Sequence, residues 1–229
     1  MKRFYKAASV APGPGGLAIL LDGRPVKTPA RAPLVVPGEA LADAIAAEWE
    51  GQGEAIDPRS MPLTGLANAA LDRVAPDREA FARGLARYAE ADLLCYRAEA
   101  PQALIRRQAA AWDPLLAWAR RRFDVDFEVT AGVIHRAQPV ATIERLGKAV
   151  LGRGPFELAG LAPLVTVSGS LVIALALAEG AASLEQAWSA ATLDEAWQAE
   201  HWGDDPLAAA AHDERRRDFD AGYLFLSLL

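Results

Sequence analysis

The chain has 229 residues and a formal net charge of −6, with about half of its residues apolar and a quarter charged. That length builds one large domain or two small ones with a sizeable core. The acidic balance excludes a general electrostatic attraction for nucleic acid or anionic membrane, since the arginine runs at 120–122 and 215–217 read as solvated helix faces. A single cysteine, Cys95, excludes an internal disulfide and points to a reducing compartment. The opening MKRFYKAASV has no apolar run and no Arg-rich amphipathic helix, so the expected location is the cytoplasm.

The first elements read as β structure. RFYKAASV alternates like a strand, and APGPGG is a turn cluster. LAILLDGRPVKTP holds two strands around Asp22-Gly23, where Gly supplies the positive φ of a tight hairpin turn. Pro29 and Pro33 end the second strand, and APLVVP adds one more. The period then changes. Leu41, Ile45 and Trp49 recur every fourth residue and predict a helix over 39–49, stopped by Gly51 and Gly53.

From Pro62 onward nearly every segment is helical, with helices expected at 63–74, 77–94, 101–123, 139–151, 155–167, 170–178, 183–202 and 206–228. A proline near the start of many of them suits the first helical turn. An extended piece over 126–134 interrupts the series. The apolar stretch 158–178 is broken by Pro163 and by Ser168-Gly169-Ser170, which is too short a run for a span of about 20 residues, so two buried helices joined near Gly169 are expected. Strands and helices are segregated rather than alternating. The fold class is therefore α+β, with a small β-rich domain carrying one helix at 1–60 and a larger helical bundle at 61–229.

No local catalytic constellation emerges. Gly13-Pro14-Gly15-Gly16 precedes a strand, whereas a phosphate cradle opens a helix, so it reads as a hairpin turn. Ser168 and Ser170 lie outside any nucleophile-elbow pattern, and Ser170 reads as a helix cap. Cys95 reads as a small buried hydrophobe. His135, His201 and His212 contain no i, i+4 pair, and His201, Asp204, Asp205 and His212 read as solvated groups around a helix–helix turn rather than as metal ligands. No cofactor is implied, and the protein is not read as an enzyme. The alternative is a hydrolase with a site dispersed between the two domains, resting on Ser168, Ser170 and the histidines.

The segment from Asp194 to Asp220 carries nine acids against three arginines, with Trp197 and Trp202 among them. Ser183 and Gln186 form a capping-box pattern that starts a helix. Its apolar stripe runs through Leu184, Ala187, Trp188 and Ala191. If the helix is continuous, seven residues further the stripe lands on Asp194 and Glu195, where an unpaired charge is costly. If it breaks at Thr192, then Thr192 and Glu195 form a second capping box. Acids beside tryptophans suit a protein-binding surface, because aromatics anchor interfaces and charge selects the partner.

RFYK, LDGRPVKTP, the Glu48-Trp49 pair, MPLT, CYR, WDPLL, SGSLVIALAL and DEAWQAEHWG follow one another along nearly the whole chain. In that order and spacing the sequence resembles the F(1)-ATPase assembly chaperones that act on the α subunit, also called ATP synthase mitochondrial assembly factor two. The resemblance implies a holdase that binds the unassembled α subunit and prevents its aggregation until the β subunit takes its place. It implies a small β-containing N-terminal domain with an orthogonal helical bundle, and no nucleotide or metal. It marks Glu195 as the site residue, with Asp194, Trp197, Gln198, Glu200 and Trp202 in the same motif. A bacterial, cytoplasmic, monomeric member is expected, with eukaryotic relatives in the mitochondrial matrix and no nucleic-acid partner.

Overall fold

The computed structural model describes residues 1–132, 134–203 and 206–229. They form two compact units, one of Met1–Arg78 with Gly154–Gly160 and Leu224–Leu229, the other of Glu79–Arg153 with Leu161–Tyr223. The architecture is α+β, a small sheet followed by helices.

In the first unit, β1 (Ala8–Gly13) and β2 (Gly16–Leu21) form an antiparallel hairpin. The turn cluster is tighter than its sequence suggests. Gly13 pairs with Gly16, leaving Pro14 and Gly15 as the corner, with Gly15 at φ 81. β3 (Arg24–Pro25) returns antiparallel through Asp22-Gly23, both at positive φ, as a right-handed-twist hairpin requires. β4 (Val35–Val36) pairs with β2 as well. All of RFYK lies outside the strands, directly after an isolated Lys2–Ala55 bridge. Its backbone is held by Asp22, whose carboxylate accepts from the Lys6 and Ala7 amides.

Helix α1 (Glu39–Glu50) lies on this sheet, burying Leu41, Ala42 and Ile45. Helix α2 (Pro62–Ala69) follows and continues through a π-helical turn, Ala70–Val74. Leu63 and Ala67 join Ile19, Leu34, Val36 and Ile45 in one core. Two family-like motifs meet here. The Glu48 carboxylate accepts from the Leu63 and Thr64 amides and the Thr64 hydroxyl, each at 2.7 Å, and so caps α2. Asp72 likewise accepts from the Thr28 hydroxyl and the Ala30 amide.

In the second unit, the expected 77–94 helix is shorter. Helix α3 (Arg78–Ala86) tightens into a 3-10 turn at Arg87–Glu90, and a second 3-10 turn, Leu93–Cys95, follows. The break is fixed by Asp92, whose carboxylate caps that second turn at Leu94 instead of continuing the helix. A short strand β5 (Tyr96–Arg97) then pairs in parallel with β6 (Thr130–Ala131), which is all of the 126–134 segment that becomes strand. Helices α4 (Gln102–Phe123), α5 (Val140–Leu151), α6 (Pro155–Ser168), of which the part from Leu161 belongs to this unit, α7 (Leu171–Ala178) and α8 (Leu184–Ala191) come next. Helix α7 is buried at every position from Leu171 to Leu177, as a helix apolar on all sides must be. Among the described residues no helix is long and apolar enough to cross a membrane.

The chain ends in α9 (Leu193–Trp202) and α10 (Pro206–Ser227). The helix expected over 183–202 is therefore two helices that meet at Thr192. There the backbone leaves helical geometry, with φ −108 and ψ 13.

Candidate functional site

The acidic, tryptophan-bearing segment folds as α9, and the break at Thr192 decides how its charges are housed. The Ser183–Gln186 capping box starts α8 as expected. The second box does not form. The Thr192 hydroxyl donates back to the Trp188 carbonyl at 2.9 Å, so it closes α8 rather than capping α9. Glu195 is left free of a capping duty and turns to Arg215 of α10.

That pairing is bidentate, with both guanidinium Nη atoms on the two carboxylate oxygens. The hydrogen bonds from Arg215, more than its charge alone, hold the Glu195 carboxyl below the usual range. The Glu195 side chain stays 48% exposed. Asp194 instead accepts from the Gln108 amide at 2.8 Å, and Gln108, buried on α4, accepts the Ala98 amide with its own oxygen. Glu200 makes a second bidentate pair with Arg107 of α4, at 2.7 and 2.8 Å, which pulls its carboxyl down as well. Of the four polar site residues, Asp194, Glu195 and Glu200 thus meet an internal partner. Gln198 is exposed and lines the cleft described below.

The two tryptophans separate. Trp197 is half-buried, stacked on His201 at 4.2 Å, with the Arg107 guanidinium 6.0 Å from its ring centre. Trp202 is 79% exposed. An open cleft of about 670 Å³ separates α9 from α10, walled by Ala199, Trp202, Ala208, Ala209 and His212, with the Glu195–Arg215 pair at its edge. His212 leaves its ring 5.0 Å from Trp188, the α8 tryptophan that also packs on Phe219. The metal set weighed in the sequence falls partly on Asp204 and Asp205, which lie outside the described residues. Among the described residues no group of three or more His, Cys, Asp and Glu side chains is placed to hold a metal ion.

Arg107, Gln108 and Arg215 are the functional neighbours that the sequence does not announce. They sit 20 to 93 residues from the acids they meet, and no spacing rule links them.

The residues of the hydrolase alternative are committed elsewhere. Ser168 and Ser170 are buried. The Ser168 hydroxyl donates to the Leu164 carbonyl at 2.6 Å. The Ser170 hydroxyl donates to Asp92 at 2.7 Å and accepts from the Ile173 amide, capping α7. Asp92 is fully buried and also accepts from the Val172 and Leu94 amides. Burial lifts its carboxyl to about 6 against these hydrogen bonds. Cys95 is buried, and burial first and Asp92 second raise its thiol to about 12, which makes it inert as a nucleophile. His135 pairs with Tyr96 at 3.0 Å.

The motifs shared along the chain are therefore mostly structural ties. CYR and WDP join through Arg97, which donates to Asp113 at 2.8 Å and lies over Trp112, whose indole donates to the Ala190 carbonyl.

A family model described as ATP12 chaperone protein matches residues 2–120. The mitochondrial protein atp12 of Schizosaccharomyces pombe is 26% identical over 214 residues, which span 88% of this chain and 74% of the relative. The crystal structure of Atp12 from Paracoccus denitrificans superposes with a TM-score of 0.95 at 42% identity, over 99% of this chain and 97% of that one. The Atu1473 protein of Agrobacterium tumefaciens superposes at 0.94 with 43% identity, over 99% and 85%.

Proposed function

Because this chain belongs to the ATP12 chaperone family, we propose that it binds the unassembled α subunit of F(1)-ATPase and keeps it from aggregating during ATP synthase assembly. The family is one of chaperones, not enzymes. An unpartnered subunit exposes a large apolar interface, and such surfaces aggregate. A holdase needs an accessible apolar anchor set among charges that keep the complex in solution. The observation that carries the reading is α9, which leaves Trp202 79% exposed at the rim of an open, alanine-walled cleft flanked by acids. Glu195, Asp194, Trp197, Gln198, Glu200 and Trp202 form the contact surface in this reading. Glu195 and Glu200 present half-exposed carboxylates whose orientation Arg215 and Arg107 set. The protein acts as a monomer in the cytoplasm of a bacterium.

The test is co-purification with separately expressed α and β subunits, followed by light scattering of the α subunit alone. Capture of α with suppressed scattering supports the proposal. Binding to neither subunit, or to β only, removes it.

A further inference from the structure

Helix α9 is held to its unit in an unusual way. Its one buried residue is Leu193, in the first turn. Beside it Asp194 takes the hydrogen bond from buried Gln108, so the N-terminal end is anchored. From Ala196 to the end of the helix no residue is buried. Both flanks are open there. One cleft, about 670 Å³, separates α9 from α10, and a second, about 560 Å³, runs between α9 and the α4–α8 pair. Ala196 lines both. Apolar packing therefore contributes little to holding the last two turns in place.

Arg107 holds them instead. It reaches across from α4, grips Glu200 in two hydrogen bonds and lies toward the Trp197 ring. The pair is 41% and 50% exposed, so solvent and salt weaken it. Either end of the helix has a joint. Thr192 is already non-helical, and Gly203 takes φ 84 with ψ 168, a conformation that only glycine adopts at ease. Behind the helix the second cleft is walled by Ala110, Ala111, Trp188 and Leu193. Segments with few buried contacts and exposed ties open at low free-energy cost.

We propose that α9 is a strap latched by Arg107, anchored at Leu193 and Asp194, and that release of its last two turns opens the apolar cleft along α4 and α8. Applied to the chaperone, and there it rests on the function proposed above, the strap is the element that widens the client surface. The strap itself is tested without any client.

Hydrogen exchange of the full-length protein, read by mass spectrometry, compares α9 with α7, α4 and α8. Raising salt to about 1 M, where the screening length is about 3 Å, should speed α9 amide exchange about fivefold and leave α7 unchanged. Arg107→Gln should do the same at low salt, shrink the salt dependence to what the half-exposed Glu195–Arg215 pair retains and raise the fluorescence of added anilinonaphthalene sulfonate. Pairing Arg107→Glu with Glu200→Arg should restore slow exchange. If α9 exchange responds to neither salt nor Arg107→Gln, or if α4 and α8 accelerate equally, the strap is wrong. The salt series needs no variant, so a poorly folding Arg107→Gln leaves the test intact. Capture of the α subunit by the wild-type protein separates the two ideas. A strap response without capture removes the client role alone, and capture without a strap response removes the strap.

Discussion

Asp92→Asn tests the buried carboxylate that joins the loop before β5 to the start of α7. Asp92 is fully buried, and burial lifts its carboxyl from 3.8 to about 6 despite hydrogen bonds from Val172, Ser170 and Leu94. A carboxyl raised in the folded state binds its proton more tightly folded than unfolded. Its contribution to stability is full below about pH 4 and is lost as pH rises through about 6. A shift of about 2 units at about 1.4 kcal/mol per unit amounts to about 3 kcal/mol over that window. Asparagine has no such titration. It also presents an amide N–H to a cluster of donors, so the variant is less stable at every pH. Other titrating groups are common to both proteins and cancel in the difference.

The destabilisation by Asp92→Asn should therefore be largest near pH 4 and shrink by about 3 kcal/mol by about pH 8. Urea unfolding of both proteins across that range, followed by circular dichroism, measures it. Parallel stability curves would mean that Asp92 does not titrate with a raised pKa, and the account of the α7 cap would fail.

Three further outcomes follow from particular contacts. Glu48→Ala removes the acceptor for two amides and the buried Thr64 hydroxyl, and should cost about 2 kcal/mol in urea unfolding, with Glu48→Gln intermediate. Gly16→Ala would place a Cβ 2.3 Å from the Val36 carbonyl oxygen, a backbone atom that cannot rotate away, so the β2–β4 pairing should loosen and stability should fall by about 1–3 kcal/mol in thermal melts. Glu195→Lys sets a cation against Arg215 at a half-exposed site. Its melting temperature should stay within a few degrees, the effect of about 1 kcal/mol, while protection of the α subunit in light scattering weakens. An unfolded Glu195→Lys protein would make the acid structural and remove it from the contact surface.

Much of this architecture follows from local chemistry. The change from period two to period near 3.6 after Pro37, the Asp22-Gly23 turn, the Ser183–Gln186 box and the Gly169 junction between two buried helices are all consequences of residues within a few positions of one another. Such features are legible because turns, caps and stripes depend on neighbouring backbone groups. The early end of α3 is not, because Asp92 caps the following turn while it binds residues 78 and 80 positions away. Strands of two residues, β5 and β6, carry too short a pattern to register.

The acidic segment shows the division most clearly. Helical phase in the sequence placed Asp194 and Glu195 on the line of the apolar stripe and required either a break or a partner. The structure supplies both. The chain breaks at Thr192, yet the hydroxyl there turns back to α8, and Glu195 is satisfied by Arg215 while Asp194 is satisfied by Gln108. Composition and spacing determined that these charges needed housing, since that cost is local. Which groups house them depends on α4 and α10 meeting α9 in space, and only tertiary packing brings side chains 20 and 86 residues apart within hydrogen-bond reach.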